Sequence, residues 1–156
     1  AIPLDRLRIT ERICNVLASQ RRTQVQEVWK LYGPGSAGSQ AITGIPYLWR
    51  LHSESRKMGR ASFIWPFETG FTDRPAYNVR PATVHAEIWP GIVQKEVTAR
   101  GAEKPRDMVQ VEEMVRWAHT QDQRGELGGW FSAPPNLNND ELEACIKEEG
   151  WILGVR

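Results

Sequence analysis

The sequence has few residues suited to cross-linking or soft metal ligation: two cysteines, Cys14 and Cys145, and three histidines in 156 residues. Two thiols cannot staple a disulfide scaffold, and their separation matches no zinc-ligand spacing. Free thiols point to a reducing, cytoplasmic setting. Long apolar runs are missing as well. No segment approaches the ~20 residues that span a bilayer, and the N-terminus has no apolar signal-peptide core. The sequence opens on Ala1 rather than Met, as a processed product or a piece of a longer chain does. A large net charge is lacking too. Lys and Arg total 20 against 19 Asp and Glu, a formal net charge of +1, which excludes a uniformly basic, histone-like nucleic-acid binder. No G-x-S-x-G elbow marks a hydrolase nucleophile, and no internal repeat or low-complexity tract is present.

What is present is a globular composition with abundant tryptophan. At 40% hydrophobic and 25% charged, the chain reads as a folded domain rather than a disordered one. Its length fits a single domain over 1–156. Each of the seven tryptophans needs an apolar wall. The charge is unevenly placed. Residues 1–60 carry ten Lys/Arg against four Asp/Glu, a balance of +6, and residues 61–156 carry ten against fifteen, a balance of −5. Arg6, Arg8, Arg12, Arg21 and Arg22 form either a basic surface for phosphates or, more plainly, part of two complementary halves or of solvated helix faces. Surface charge is common, which favours the second reading.

The basic first part, 1–60, reads as helical. Ile9, Ile13 and Leu17 recur at four-residue spacing, and Val25, Val28 and Trp29 continue the stripe, with Asp5 or Thr10 as the cap. The run Gly33–Ser39 breaks this helix. A second follows from about Ser39 to Ser55, with Ile42, Ile45, Leu48, Trp49 and Leu51 as its apolar side and Pro46 as a kink. Over 61–156 short strands precede C-terminal helices. Ser62–Glu68 is aromatic-rich, and Pro66 confines it to an edge. Thr83–Trp89 alternates apolar and polar residues. A helix over 107–124 has Asp107 and Gln110 in a capping-box pattern and buries Val111, Met114, Val115 and Ala118. A last helix starts near Asn139 or Asp140 and stops at Gly150, and Trp151–Val155 is a strand or an apolar plug.

Three sets of residues suggest chemistry. Gly33, Gly35 and Gly38 match G-x-G-x-x-G before a helix, where backbone N–H groups can cradle a phosphate. Without a preceding strand, the same glycines serve a tightly packed turn. Glu87 and Glu68 lie on or beside strands and, with an aspartate, present oxygen ligands for Mg²⁺. Facing solvent or accepting backbone N–H bonds is the plainer role for both. Flanked by apolar residues, Glu87 is expected to be partly buried and bonded to backbone, to His85 or to an arginine of the first part. His85 shares a strand face with Glu87, but His52, His85 and His119 form no ligand set by spacing. The aromatic–basic run Tyr47-Leu-Trp49-Arg50 can stack bases, although at helical spacing such residues more often fill a core.

The phrases Val28–Pro46, Trp65-Pro-Phe-Glu-Thr-Gly70, Ala86-Glu-Ile-Trp-Pro90 and Glu149-Gly-Trp-Ile-Leu-Gly154 occur in this order. Together they resemble the C-terminal half of a group of uncharacterised bacterial proteins related to predicted nucleases with a ribonuclease H-like fold. The resemblance implies an α+β, helix-rich domain with a small two- or three-stranded sheet, the latter half of that fold. It implies catalytic roles for Glu87, Glu68 and Asp107, with Glu87 and Asp107 on a metal, possible as Mg²⁺. Gln110 stands where the family often has an acid. The family's first strands, which carry further ligands, precede the matched region. These features imply nucleic-acid or nucleotide binding without autonomous catalysis. The alternative is an interaction or small-molecule-binding module with a tryptophan-lined groove and no metal. A half-fold also implies a homodimer, or a complex with another chain, burying some of Trp65, Trp89, Trp130 and Trp151 over at least ~1,000 Å².

Overall fold

The computed structural model describes residues 7–21, 25–33, 35–76, 78–79, 81–102 and 104–156. It is a helix-rich α+β fold with small sheets. Helix α1, Ile9–Arg21, is shorter than its apolar periodicity predicts. Val25 to Lys30 is irregular, with a turn at Val28-Trp29. Of the two expected caps, Thr10 does not hold the start of α1. Asp5 lies outside the described residues, and Thr10 is inside the helix, where its hydroxyl accepts the Ile152 N–H. Instead Glu11 reaches back to the Arg8 N–H, half of a capping box, and Glu149 accepts the Ile9 N–H at 2.7 Å.

Helix α2, Ala37–Lys57, contains Pro46 and follows the glycine run. The close approach at its start explains Gly38. A Cβ there would sit 2.4 Å from the Val28 carbonyl oxygen and 2.9 Å from that of Lys30. The expected strands are present but short. β1, Ala61–Ile64, ends where Trp65-Pro66 turns the chain, and the second candidate divides at Ala86 into β2, Ala82–His85, and β3, Glu87–Ile88. β1 pairs parallel with β2, from Ala61 opposite Ala82 to Ile64 opposite His85. β3 pairs parallel with β4, Ile152–Leu153. The C-terminal tail is therefore both strand and plug, since Trp151, Ile152, Leu153 and Val155 are all buried.

A 3-10 turn, Pro90–Val93, runs into α3, Gln94–Ala99, which the polar character of the following segment concealed. Helix α4, Arg106–Gln123, occupies the predicted span. Its start is a correction. Pro105 is the N-cap, and Asp107 lies inside the first turn and makes no cap bond. Its buried side is also rotated. Val109, Glu113 and Met114 face inward, while Val111 and Val115 are exposed. Helix α5, Asn139–Ala144, begins with a full capping box between Asn138 and Glu141 and continues as a π-helical turn, Cys145–Glu149.

The main core joins Ile9 and Cys14 of α1 to Trp65, Cys145 and the C-terminal tail. Trp65 stands edge-on between Phe71 and Phe131, with ring centroids 5.5 and 5.4 Å away, and its indole N–H donates to the Phe131 carbonyl. The Trp151 N–H is satisfied by the Val155 carbonyl at 3.1 Å. A second cluster, Val93, Val97, Val109 and Met114, holds α3 to α4.

Candidate functional site

The proposed strand acid, Glu87, is bound by an arginine of the basic first part. Arg8 donates from Nη1 to Glu87 Oε2 at 2.9 Å and from Nη2 to Oε1 at 2.8 Å, a bidentate pair. Arg8 also donates from Nε to Glu11 at 2.9 Å and from Nη1 to the Glu149 carbonyl at 3.0 Å. Burial opposes the Arg8 charge, but Glu87 and then Glu11 raise its pKa above the ordinary value. The partner is the expected kind; the burial is not. Glu87 is 45% exposed, and the carboxylate sealed inside is Glu11, at 1%. Glu11 also accepts the Val28 N–H. Arg12–Glu141 and Arg56–Glu68 join the two halves as Arg8–Glu87 does, as complementary halves require.

The other strand-associated acid, Glu68, caps a buried polar chain. Its Oε2 accepts the Ile64 N–H at 2.7 Å, and its Oε1 accepts from Arg56 at 3.2 Å and lies 3.5 Å from His52 Nε2. His52 Nδ1 is 3.1 Å from the Ser62 hydroxyl, which is 2.9 Å from His85 Nε2. A carboxylate beside Nε2 favours the proton there, which leaves His52 Nδ1 to accept from Ser62 and Ser62 to accept from His85 Nε2–H. Among the described residues no buried side-chain nitrogen or oxygen lacks a partner. Burial, and then the neighbouring His52, lower the His85 pKa. Every donor points from His85 toward Glu68, so a proton arriving on His85 would be relayed toward the Glu68 carboxylate. The chain offers no nucleophile, because Ser62 is 1% exposed and lies between two rings. Sequence spacing could not pair His52 with His85. The available signal was Ser62 at an inward strand position, since a buried hydroxyl needs a partner.

Asp107 is exposed on the first turn of α4. Glu87, Glu68 and Asp107 do not form a metal-ligand group, and none of three or more His, Cys, Asp or Glu exists among the described residues. In the Gly33–Gly38 loop, the Ser36 N–H donates to the Gly33 carbonyl and the Gly38 N–H to that of Lys30 at 2.9 Å. The third glycine serves backbone packing.

The four tryptophans expected at an interface pack largely within the chain itself. Trp65 and Trp151 are 2% exposed within the chain's own core, and Trp89 and Trp130 are partly buried against it. The exposed apolar surface lies on α2. Ile42, Ile45, Tyr47, Trp49 and Leu51 are each more than half exposed, although the periodicity casts most of them as a core face. Among the described residues, α2 is buried at Gly38, on the Val28–Lys30 backbone, and at His52, on β1, with Leu48 half-buried between them. Trp49 lies over His52, with ring centroids 5.9 Å apart. Among the described residues no helix is long and apolar enough to cross a membrane.

Comparisons with known proteins give no relative: no family model, no curated protein and no solved structure matches the chain.

Proposed function

We propose that this protein is an interaction module that assembles through α2 with a second copy of itself and has no catalytic centre of its own. The observation that carries this reading is the stretch 37–49. It contains no charged residue, yet exposes Ile42, Ile45 and Trp49 by 63%, 62% and 63%. Positions three and four apart share one helix face. A charge-free face with aromatic anchors has the composition of an interface centre rather than of a solvated helix.

The self-paired form follows from charge and symmetry. Ile45 is central in the stripe, so a two-fold axis there sets Ile42 of one copy against Trp49 of the other in an antiparallel pair. A parallel pair would bring Arg50, Arg56 and Lys57 of both copies together. Lys57 is twelve residues from Ile45, about 18 Å along the helix. The antiparallel arrangement thus separates the basic ends by roughly 36 Å, well beyond the screening length of about 8 Å. Trp29, Leu31 and Tyr32, beside the start of α2, are 69%, 61% and 93% exposed. With the stripe they present on the order of 600 Å² per copy, near the area a stable interface takes from each partner.

Oxidative cross-linking tests this geometry. Both native thiols are fully buried, so an introduced cysteine supplies the reactive one. Ile45→Cys should give a covalent dimer under mild oxidation and Lys57→Cys should not. Equal yields would contradict the arrangement.

A second reading, single-stranded nucleic-acid binding, is favoured by a different side of the same helix. Tyr47, Arg50 and Lys57 lie at helical spacing there, and Tyr47 is 72% exposed. It expects salt-sensitive quenching by an oligonucleotide that Tyr47→Ala removes.

A further inference from the structure

The C-terminal half of α2 is fully buried at one side chain, the His52 ring; the helix's other buried residue, Gly38, lies at its start. Trp49, an anchor of the exposed stripe, lies over that ring with centroids 5.9 Å apart. Beneath it, His52 Nδ1 meets the Ser62 hydroxyl, which also meets His85 Nε2. Ser62 is 1% exposed, and among the described residues its hydroxyl has no hydrogen-bond partner besides these two rings. What the two imidazoles demand of Ser62 therefore decides how this half of α2 sits on β1.

That demand depends on the number of protons. With both rings neutral, Ser62 accepts from His85 and donates to His52. One added proton is tolerated. It enters at His85, which is half-buried, and stays on His85 Nδ1 with the bonds unchanged. Alternatively it reverses them, so that His52 donates to Ser62 and Ser62 to His85. A second proton leaves both rings as donors, and the buried hydroxyl hydrogen then has no acceptor. Charge opposes the second proton as well. The acid facing the pair is Glu68, from the turn after β1, whose Oε1 is 3.5 Å from His52 and also accepts from Arg56 of α2 at 3.2 Å. One carboxylate shared with a guanidinium does not offset two imidazolium charges whose ring centroids are 6.3 Å apart.

We propose that the His52–Ser62–His85 chain is a proton-counting latch. It holds the C-terminal half of α2 on β1 while at most one histidine is charged, and releases it when both are. The latch regulates the self-assembly proposed above and rests on that reading, because release removes the ring beneath Trp49. The doubly charged form is disfavoured only while the helix is latched, so acid shifts the helix toward release. The dimer therefore weakens as pH falls below the ordinary histidine value of about 6.5 and recovers above it.

Amide hydrogen exchange of the full chain at pH 7.5 and 5.0, expressed as protection factors, tests the latch, with sedimentation velocity alongside. Protection over 50–57 should fall at least about tenfold in acid, the lower end for an unpaired buried hydroxyl, while α4 changes less than about twofold. The dimer should weaken by a similar factor. His85→Gln removes the second titrating ring, and Ser62→Ala removes the hydroxyl that needs an acceptor. Either should reduce both effects to less than about twofold. His119→Gln, at an exposed position on α4, should leave both in full. Exchange in Ile45→Asp, whose assembly face is spoiled, should show the same fall. A parent chain monomeric at pH 7.5 would thus refute the assembly reading, while exchange still decides the latch. Protection insensitive to acid, a fall that persists in both His85→Gln and Ser62→Ala, or a dimer whose affinity ignores acid while protection falls would overturn the proposal.

Discussion

Arg8 holds both carboxylate oxygens of Glu87, at 2.9 and 2.8 Å, across 79 positions of sequence. The same guanidinium satisfies Glu11, which is 1% exposed. The two carboxylates have unequal claims on Arg8, because one faces water and the other does not.

Removing the arginine should therefore cost far more than neutralising the visible partner. Arg8→Ala strands Glu11 inside the fold and should destabilise by about 3 kcal/mol, the range for breaking a buried pair from one side. Glu87→Gln should cost under about 1 kcal/mol, as for a half-exposed pair. Urea unfolding of the two variants compares them, and equal losses would show that Glu11 does not depend on Arg8.

The pH dependence should carry the signature of His85. Its folded pKa lies below the ordinary 6.5, through burial and then the neighbouring His52. The stability it contributes is therefore fully present above the unfolded value and is lost as pH falls through 6.5 toward the folded pKa. Unfolding midpoints at pH 7.5 and 5.5 should differ more for the parent than for His85→Gln. The same loss in both would assign the acid sensitivity to other groups.

The cysteines should be chemically silent in the native protein. Burial, and then Glu87, push the Cys14 thiol up to about 12, while burial and then Glu149 push Cys145 up to about 11. The thiolate is the reactive form, so iodoacetamide should label neither residue until the chain opens. Labelling should accelerate through the urea transition. Rapid labelling in buffer would mean the α1 packing is looser than described.

At α5, the capping box predicts a local penalty. Asn138 accepts the Glu141 N–H at 3.0 Å while Glu141 accepts that of Asn138 at 3.1 Å. Asn138→Ala should cost about 1 kcal/mol. Asp107→Ala, which removes no cap bond, should cost less in the same thermal melt.

Helix spans were legible where a stripe ended on a clear signal. α4 was readable from its glycine stop and α5 from the Asn139-Asp140 start and Gly150, although the cap itself is Asn138. What periodicity could not reveal was which apolar stripe faces inward. Val111 and Val115 have helical spacing but point outward, and Glu113 takes a buried place because Arg100 pairs with it at 2.9 Å. α1 also ends short of its stripe, and beyond it the Val28 N–H donates to buried Glu11. For Glu87 the sequence left backbone, His85 and an arginine of the basic first part open as partners, and only the fold brings Arg8 across to it. The His52–Ser62–His85 chain was not, because it depends on the parallel register of β1 and β2, which no local pattern encodes. Nor was the exposure of α2. Its apolar residues suit a core, and only the fold shows that this chain leaves the middle of the helix uncovered.

Sedimentation velocity over a concentration series tests the central claim most directly. The parent chain should form a dimer in the micromolar range, and Ile45→Asp, at a position 62% exposed in the single chain, should sediment as a monomer with unchanged far-UV circular dichroism and thermal unfolding. Ile42→Asp should act in the same way. A parent chain that stays monomeric at high micromolar concentration, or a dimer that both substitutions leave intact, would contradict assembly through α2.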